Sequence, residues 1–162
     1  MTIRINLKDF PAELRDLGEH RLREAGIRGL QSAAYRLEGM AVDALKSTRP
    51  YPPEDTGELV RSAKTTPTRT GAIVAFDAPH APFMEYGTRP HFPPLAPLAD
   101  WAIRKGLADT EEEADEIALA IARKIAARGI APRHFLARAV RSLKRRKIVR
   151  EEITAELEEM LR

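Results

Sequence analysis

Two of the four histidines, His80 and His91, share a loop with a carboxylate in the pattern His80-x4-Glu85-x5-His91; the others are His20 and His134. Two imidazoles and a carboxylate are a donor set that can hold zinc and activate water. The spacing matches no helix-face arrangement such as H-E-x-x-H, so these residues read better as side chains that order a Pro-rich loop. Asp55 and Glu58 could be taken as paired carboxylates for acid–base work. They flank Thr56-Gly57, which favours a turn-capping role. The serines are Ser32, Ser47, Ser62 and Ser142, and none sits in a nucleophile elbow. The nine glycines form neither GxGxxG nor GxxxxGK, so no phosphate-cradling loop is present. No cysteine occurs, which removes disulfides, thiol nucleophiles and sulfur-ligated zinc. The expectation is a chain that is not an enzyme and carries no metal or cofactor.

Charge is the other feature with chemical consequence. The net charge of +3 conceals an asymmetry along the chain. Residues 101–150 hold 13 basic and 6 acidic residues, a net +7, and residues 151–162 hold 1 basic and 5 acidic, a net −4. The basic stretch peaks at Arg141, Lys144, Arg145, Arg146, Lys147 and Arg150. Such a run can meet nucleic acid, meet the acidic tail of a neighbouring subunit, or simply be a solvated helix face. A zinc finger, an RNP-type aromatic strand and a clear helix-turn-helix are all missing. The candidate subunit or partner contacts are those six cations together with Glu151, Glu152 and Leu157.

These residues must be held by something. The 162 residues are 43% hydrophobic and 31% charged, with 6% aromatics, which describes one globular domain whose core is mainly Leu, Ile, Val and Ala. No run approaches the roughly 18 to 20 apolar residues of a membrane span. MTIRINLKDF lacks the pattern of a signal peptide, so a cytoplasmic site of synthesis is expected. Ile3, Ile5 and Leu7 alternate as in a strand. A helical period runs from about Pro11 to Thr48, with a kink or break expected near Gly26–Gly29. Pro50, Pro52 and Pro53 end it. Thr65–Thr70 reads as a hairpin tip, and Gly71–Phe76 as a buried strand. Residues 77–93 read as a loop, with one helical turn at Ala81–Tyr86. Leu95, Leu98, Trp101 and Ala102 mark a short helix that Gly106 can end. Thr110 and Glu113 form a capping box for a further helix ending at Gly129. Phe135, Leu136, Ala139, Val140 and Leu143 open a last helix, and Ile153, Leu157, Met160 and Leu161 carry an apolar stripe to the C-terminus.

Three short motifs then stand out in order: Asp55-Thr56-Gly57-Glu58-Leu59-Val60-Arg61-Ser62, Phe83-Met84-Glu85-Tyr86-Gly87-Thr88, and Pro132-Arg133-His134-Phe135-Leu136. With the long helix before them, they resemble the HK97 gp10-like family of phage neck and tail-completion proteins, in which D/N-T-G-x-L-x-x-S, Y/F-x-E-x-G-T and P-x-x-F-L elements recur in this order. The resemblance covers roughly residues 10–145. It does not extend to the charged segment after Leu143.

The resemblance implies a structural virion protein, assembled in the host cytoplasm, that forms a homo-oligomeric ring of about six-fold symmetry at the head–tail junction. Its partners would be head-closure or connector proteins and the tail terminator or tail tube, with genomic DNA passing through the lumen and no membrane involved. Related readings are a tail terminator capping the tube or, in another class, a small nucleic-acid-binding protein using residues 141–150. Gly57 and Gly87 would supply tight turns. Glu85 would accept from local backbone amides or pair with a base such as Arg89, and Phe83, Tyr86 and Phe92 would pack the loop on the sheet. The expected fold is α+β, a small antiparallel sheet of about three or four strands on a long N-terminal helix with additional C-terminal helices. Residues 1–143 would be the neck-protein-like domain and 144–162 a charged amphipathic helical extension.

Overall fold

A computed structural model describes residues 19–47 and 56–162. The strand expected at Ile3–Leu7, the start of the first helix, the Pro50–Pro53 stretch and Asp55 lie outside the described residues. The chain is α+β, in the order α1 (Glu19–Lys46), α2 (Glu58–Arg61), β1 (Ala63–Thr68), β2 (Gly71–Phe76), α3 (Ala81–Tyr86), α4 (Ala96–Arg104), α5 (Glu111–Arg128), α6 (Phe135–Arg145) and α7 (Ile148–Met160). Among the described residues the sheet is the two-stranded antiparallel ribbon β1–β2. No helix among them is long and apolar enough to cross a membrane.

The residues cluster into two compact units. The first holds the described part of α1 up to Ala41, then Ala63–Ala75 and Arg138–Arg162. Here α1 is unbroken through Gly26 and Gly29, so the expected break is absent. Burial of the helix against its neighbours outweighs the roughly 1 kcal/mol that each glycine costs. Gly29 has a specific use, because a Cβ there would lie 2.6 Å from the Cα of Ile153 on α7. The two helices therefore touch backbone to backbone at this point. Ala33, Leu143 and Ile148 form the core beside that contact, with Leu37, Met40 and Val149 packed around them. Glu156 accepts from Arg28 Nε at 2.8 Å, and Glu152 from Arg36 at 2.5 Å, so both bind α7 to α1. The hydrogen bond to Glu156 raises the pKa of Arg28 further, and its guanidinium stays charged at any working pH.

The hairpin rests on α1 in the same unit. Gln31 donates to the Thr68 carbonyl at 3.1 Å, and Thr65 donates to the Glu38 carboxylate at 2.5 Å. β1 occupies residues expected to be a hairpin tip. It is polar and contains Pro67, yet a two-stranded ribbon leaves one edge of each strand unpaired, where a missing N–H does no harm. β2 forms as expected but is only half-buried, with Ile73 exposed. A ribbon with one face on a helix cannot enclose its other face.

The second unit holds Val42–Ser62, as far as described, and Phe76–Ala137. Its helices are punctuated by local chemistry. α4 ends in a Schellman arrangement: Gly106 N–H donates to Ile103 O and Leu107 N–H to Ala102 O, each at 2.9 Å. Thr110 Oγ1 accepts from Glu113 N–H at 3.2 Å, and the Glu113 carboxylate accepts in turn from Asp109 N–H at 2.9 Å. The capping box is as expected, except that its return bond lands one residue early. Ala102, Ala108 and Ala114 let α4 approach α5 closely, and Trp101 and Ile117 cover the seam. Alanine, more than Leu, Ile or Val, fills the buried positions of both units. Phe135 is a buried exception, its ring 4.9 Å from that of Phe76 in an edge-to-face contact.

Candidate functional site

All the described residues of the three motifs lie in the second unit. The first motif shapes α2. Gly57 stands before it at φ 74°, Leu59 is buried, and Ser62 closes it by donating its hydroxyl to Leu59 O at 2.8 Å. Ser62 O then accepts from Asp77 N–H at 3.2 Å, which ties the motif to the residue after β2. Thr56 is exposed.

The second and third motifs form one clasp. Glu85 is the buried charged residue of the described chain, 6% exposed. Its Oε2 accepts from Leu136 N–H at 2.9 Å, and its Oε1 from Ala137 N–H at 3.0 Å. These are the second and third residues of α6, whose first-turn amides have no partner within the helix. Glu85 thus supplies from a distant loop the cap that an Asp or Ser normally supplies locally, and its charge faces the positive end of the helix dipole. The backbone repeats the connection, with Arg133 N–H donating to Met84 O at 2.8 Å and His134 N–H to Glu85 O at 3.2 Å. His134 takes a left-handed conformation, φ 50°, to enter the helix.

Glycines close the other side of the clasp. At Gly87, φ 76°, a Cβ would stand 2.4 Å from Ile130 O and 2.9 Å from Pro132 N. At Gly129, φ 69°, a Cβ would stand 2.1 Å from Thr88 O. Only glycine fits in either strand of the clasp. Between them Thr88 N–H donates to Ile130 O at 2.9 Å, and Thr88 Oγ1 accepts from Ile130 N–H at 3.0 Å. Glu85, Gly87 and Thr88 of the second motif therefore each have a partner in the segment that begins at Gly129.

Glu85 accepts from backbone amides as expected. The amides are not local, and Arg89, the alternative partner, is exposed and makes no ion pair with it among the described residues. The aromatics correct a second expectation. Phe83 is 54% exposed, Tyr86 76% and Phe92 58%, so none of them is the buried packing residue expected. α3 turns Phe83 and Tyr86 outward because its buried face is taken by Ala81 and Glu85. In the third motif Pro132 is exposed, Phe135 fully buried and Leu136 half-buried.

His80, Glu85 and His91 do not converge. His80 precedes α3, its carbonyl accepting from Met84 N–H at 3.1 Å, and His91 Nδ1 lies 2.9 Å from Arg89 O. Among the described residues no group of three or more His, Asp or Glu side chains is placed to hold a metal ion.

The residues named as subunit contacts lie in the first unit. The six cations Arg141, Lys144, Arg145, Arg146, Lys147 and Arg150 are exposed, as is Glu151. Glu152 is engaged by Arg36, and Leu157 is half-buried. The last helix is two helices, broken at Arg146-Lys147, where Lys147 adopts φ 57°. Sequence reasoning missed the close approach at Gly129 and the ion pairs of Glu152 and Glu156. Gly129 had a local explanation as a helix end, and the ion pairs join residues more than a hundred positions apart.

Comparison of the chain with family models, with curated proteins and with solved structures returns no match.

Proposed function

We propose that this chain is a structural subunit of a tailed bacteriophage, part of a ring at the head–tail junction that completes the tail or joins it to the capsid. The observation that carries the reading is the clasp between Phe83–Thr88 and Gly129–Ala137. It accounts for Glu85, Gly87, Thr88 and Phe135 as fixtures of a rigid scaffold, and it leaves Phe83, Tyr86 and Phe92 facing outward on that scaffold. A buried carboxylate whose two oxygens are both engaged by amides serves shape. Exposed aromatics held by a fixed loop serve contact, since aromatic side chains anchor protein interfaces. The motif resemblance supplies the particular assembly.

The test is made in a phage encoding this chain, with Phe83→Asp and Tyr86→Asp introduced together. Both positions are exposed, so the fold is retained, which circular dichroism of the purified protein checks. Filled heads and free tails should accumulate in place of joined particles in electron micrographs of lysates. Joined, infectious particles at wild-type yield would overturn the reading.

A further inference from the structure

The end of α6, the Arg146-Lys147 turn and the start of α7 gather Arg141, Lys144, Arg145, Arg146, Lys147 and Arg150 at one corner of the first unit. The apolar side of α6 is buried through Ala139 and Leu143, which leaves Arg141, Lys144 and Arg145 on the opposite, exposed side. Backbone bonds hold the rest near by. Arg146 N–H donates to Ser142 O, Lys147 N–H to Lys144 O and Arg150 N–H to Lys147 O, at 2.9 to 3.1 Å. None of the six forms an ion pair among the described residues, in contrast to Arg28 with Glu156 and Arg36 with Glu152. Glu152 and Glu156 of α7 are bound by arginines of α1, and the carboxylates that share a surface with Lys147 and Arg150 are Glu151 and Glu158. Glu151 stands exposed at its edge.

We propose that this corner binds the phosphate backbone of double-stranded nucleic acid without reading base sequence. Six cations beside two carboxylates leave an excess of positive charge, which draws a polyanion. Four of the six are arginines, whose planar fork suits phosphate. An acidic protein is a poorer fit. A protein interface needs an apolar centre, and the exposed large hydrophobic residues of the described chain include none between Arg138 and Arg150. The same lack of exposed aromatics disfavours single strands, which bind by stacking bases on rings. The inference stands on the first unit alone and does not depend on the proposed ring.

The test is fluorescence anisotropy of a labelled DNA duplex of about 30 base pairs with the full chain, across about 50 to 200 mM salt. If Arg141, Lys144, Arg145 and one more of the six cations reach phosphates, the slope of log K against log salt is about −3.6, an affinity loss of about 150-fold across that range. The variant R141Q/K144Q/R145Q should bring the slope to about −0.9. The variant R123Q/K124Q/R128Q, an equal charge change on exposed positions of α5, should leave it unchanged. Circular dichroism confirms that both variants fold. No binding at the lowest salt, equal losses in both variants, or displacement of the duplex by poly-glutamate at equal charge concentration would overturn the assignment.

Discussion

Replacing Glu85 by alanine should loosen the start of α6 more than any other single truncation on its surface. The carboxylate is 6% exposed and accepts from Leu136 and Ala137 N–H at 2.9 and 3.0 Å. A hydrogen bond to a charged group contributes about 1.5–3 kcal/mol, and loss of a helix cap costs about 0.5–2 kcal/mol. The two bonds share one charge and water can enter the vacated space, so they do not add in full. A loss of about 3 kcal/mol is expected, which is about a hundredfold in the local opening equilibrium. Glu85→Gln keeps one carbonyl oxygen but turns an NH2 group toward the other amide, and should lose about half as much. The assay is amide hydrogen exchange at Leu136 and Ala137, read beside global unfolding in guanidinium. Protection at these two amides should fall most in Glu85→Ala and less in Glu85→Gln. If Glu85→Ala leaves both amides protected and stability within about 0.5 kcal/mol of wild type, Glu85 is not the cap and the clasp has been misread.

Gly87→Ala and Gly129→Ala each drive a Cβ into a carbonyl oxygen of the facing strand, and should lower stability by about 2 kcal/mol or more in denaturant titrations. Gly29→Ala should push α7 from α1 and cost about 1–3 kcal/mol, seen as faster hydrogen exchange in both helices, although alanine is the better helix former. Lys147→Gly should raise the thermal midpoint, because a left-handed lysine carries about 1 kcal/mol of strain that glycine lacks. Thr110→Ala should lower stability by about 1 kcal/mol, and Thr110→Ser should restore most of it.

Features set by neighbouring residues were legible in the sequence. Thr110 with Glu113, Gly106 after α4, and the helical turn at Ala81–Tyr86 are local signals, and the chain obeys them. Features set by distant residues were not. Nothing near Glu85 announces that its partners are Leu136 and Ala137, and nothing near Phe83 or Tyr86 says that both stay exposed. β1 was hidden by composition, since Lys64-Thr65-Thr66-Pro67-Thr68 is a strand only because a ribbon tolerates proline at its edge. The break between α6 and α7 was hidden for the opposite reason. No Gly or Pro marks it, and a lysine occupies the left-handed position that glycine would have advertised. The order of the three motifs was legible. That the second and third grip each other emerged only in three dimensions.

The most direct test of the central claim is the copy number of this chain in purified particles of a phage that encodes it, measured by quantitative mass spectrometry against the major capsid protein. A closed ring at a single junction predicts about six or twelve copies per particle. Absence from the particle, or hundreds of copies, would contradict a ring at the neck.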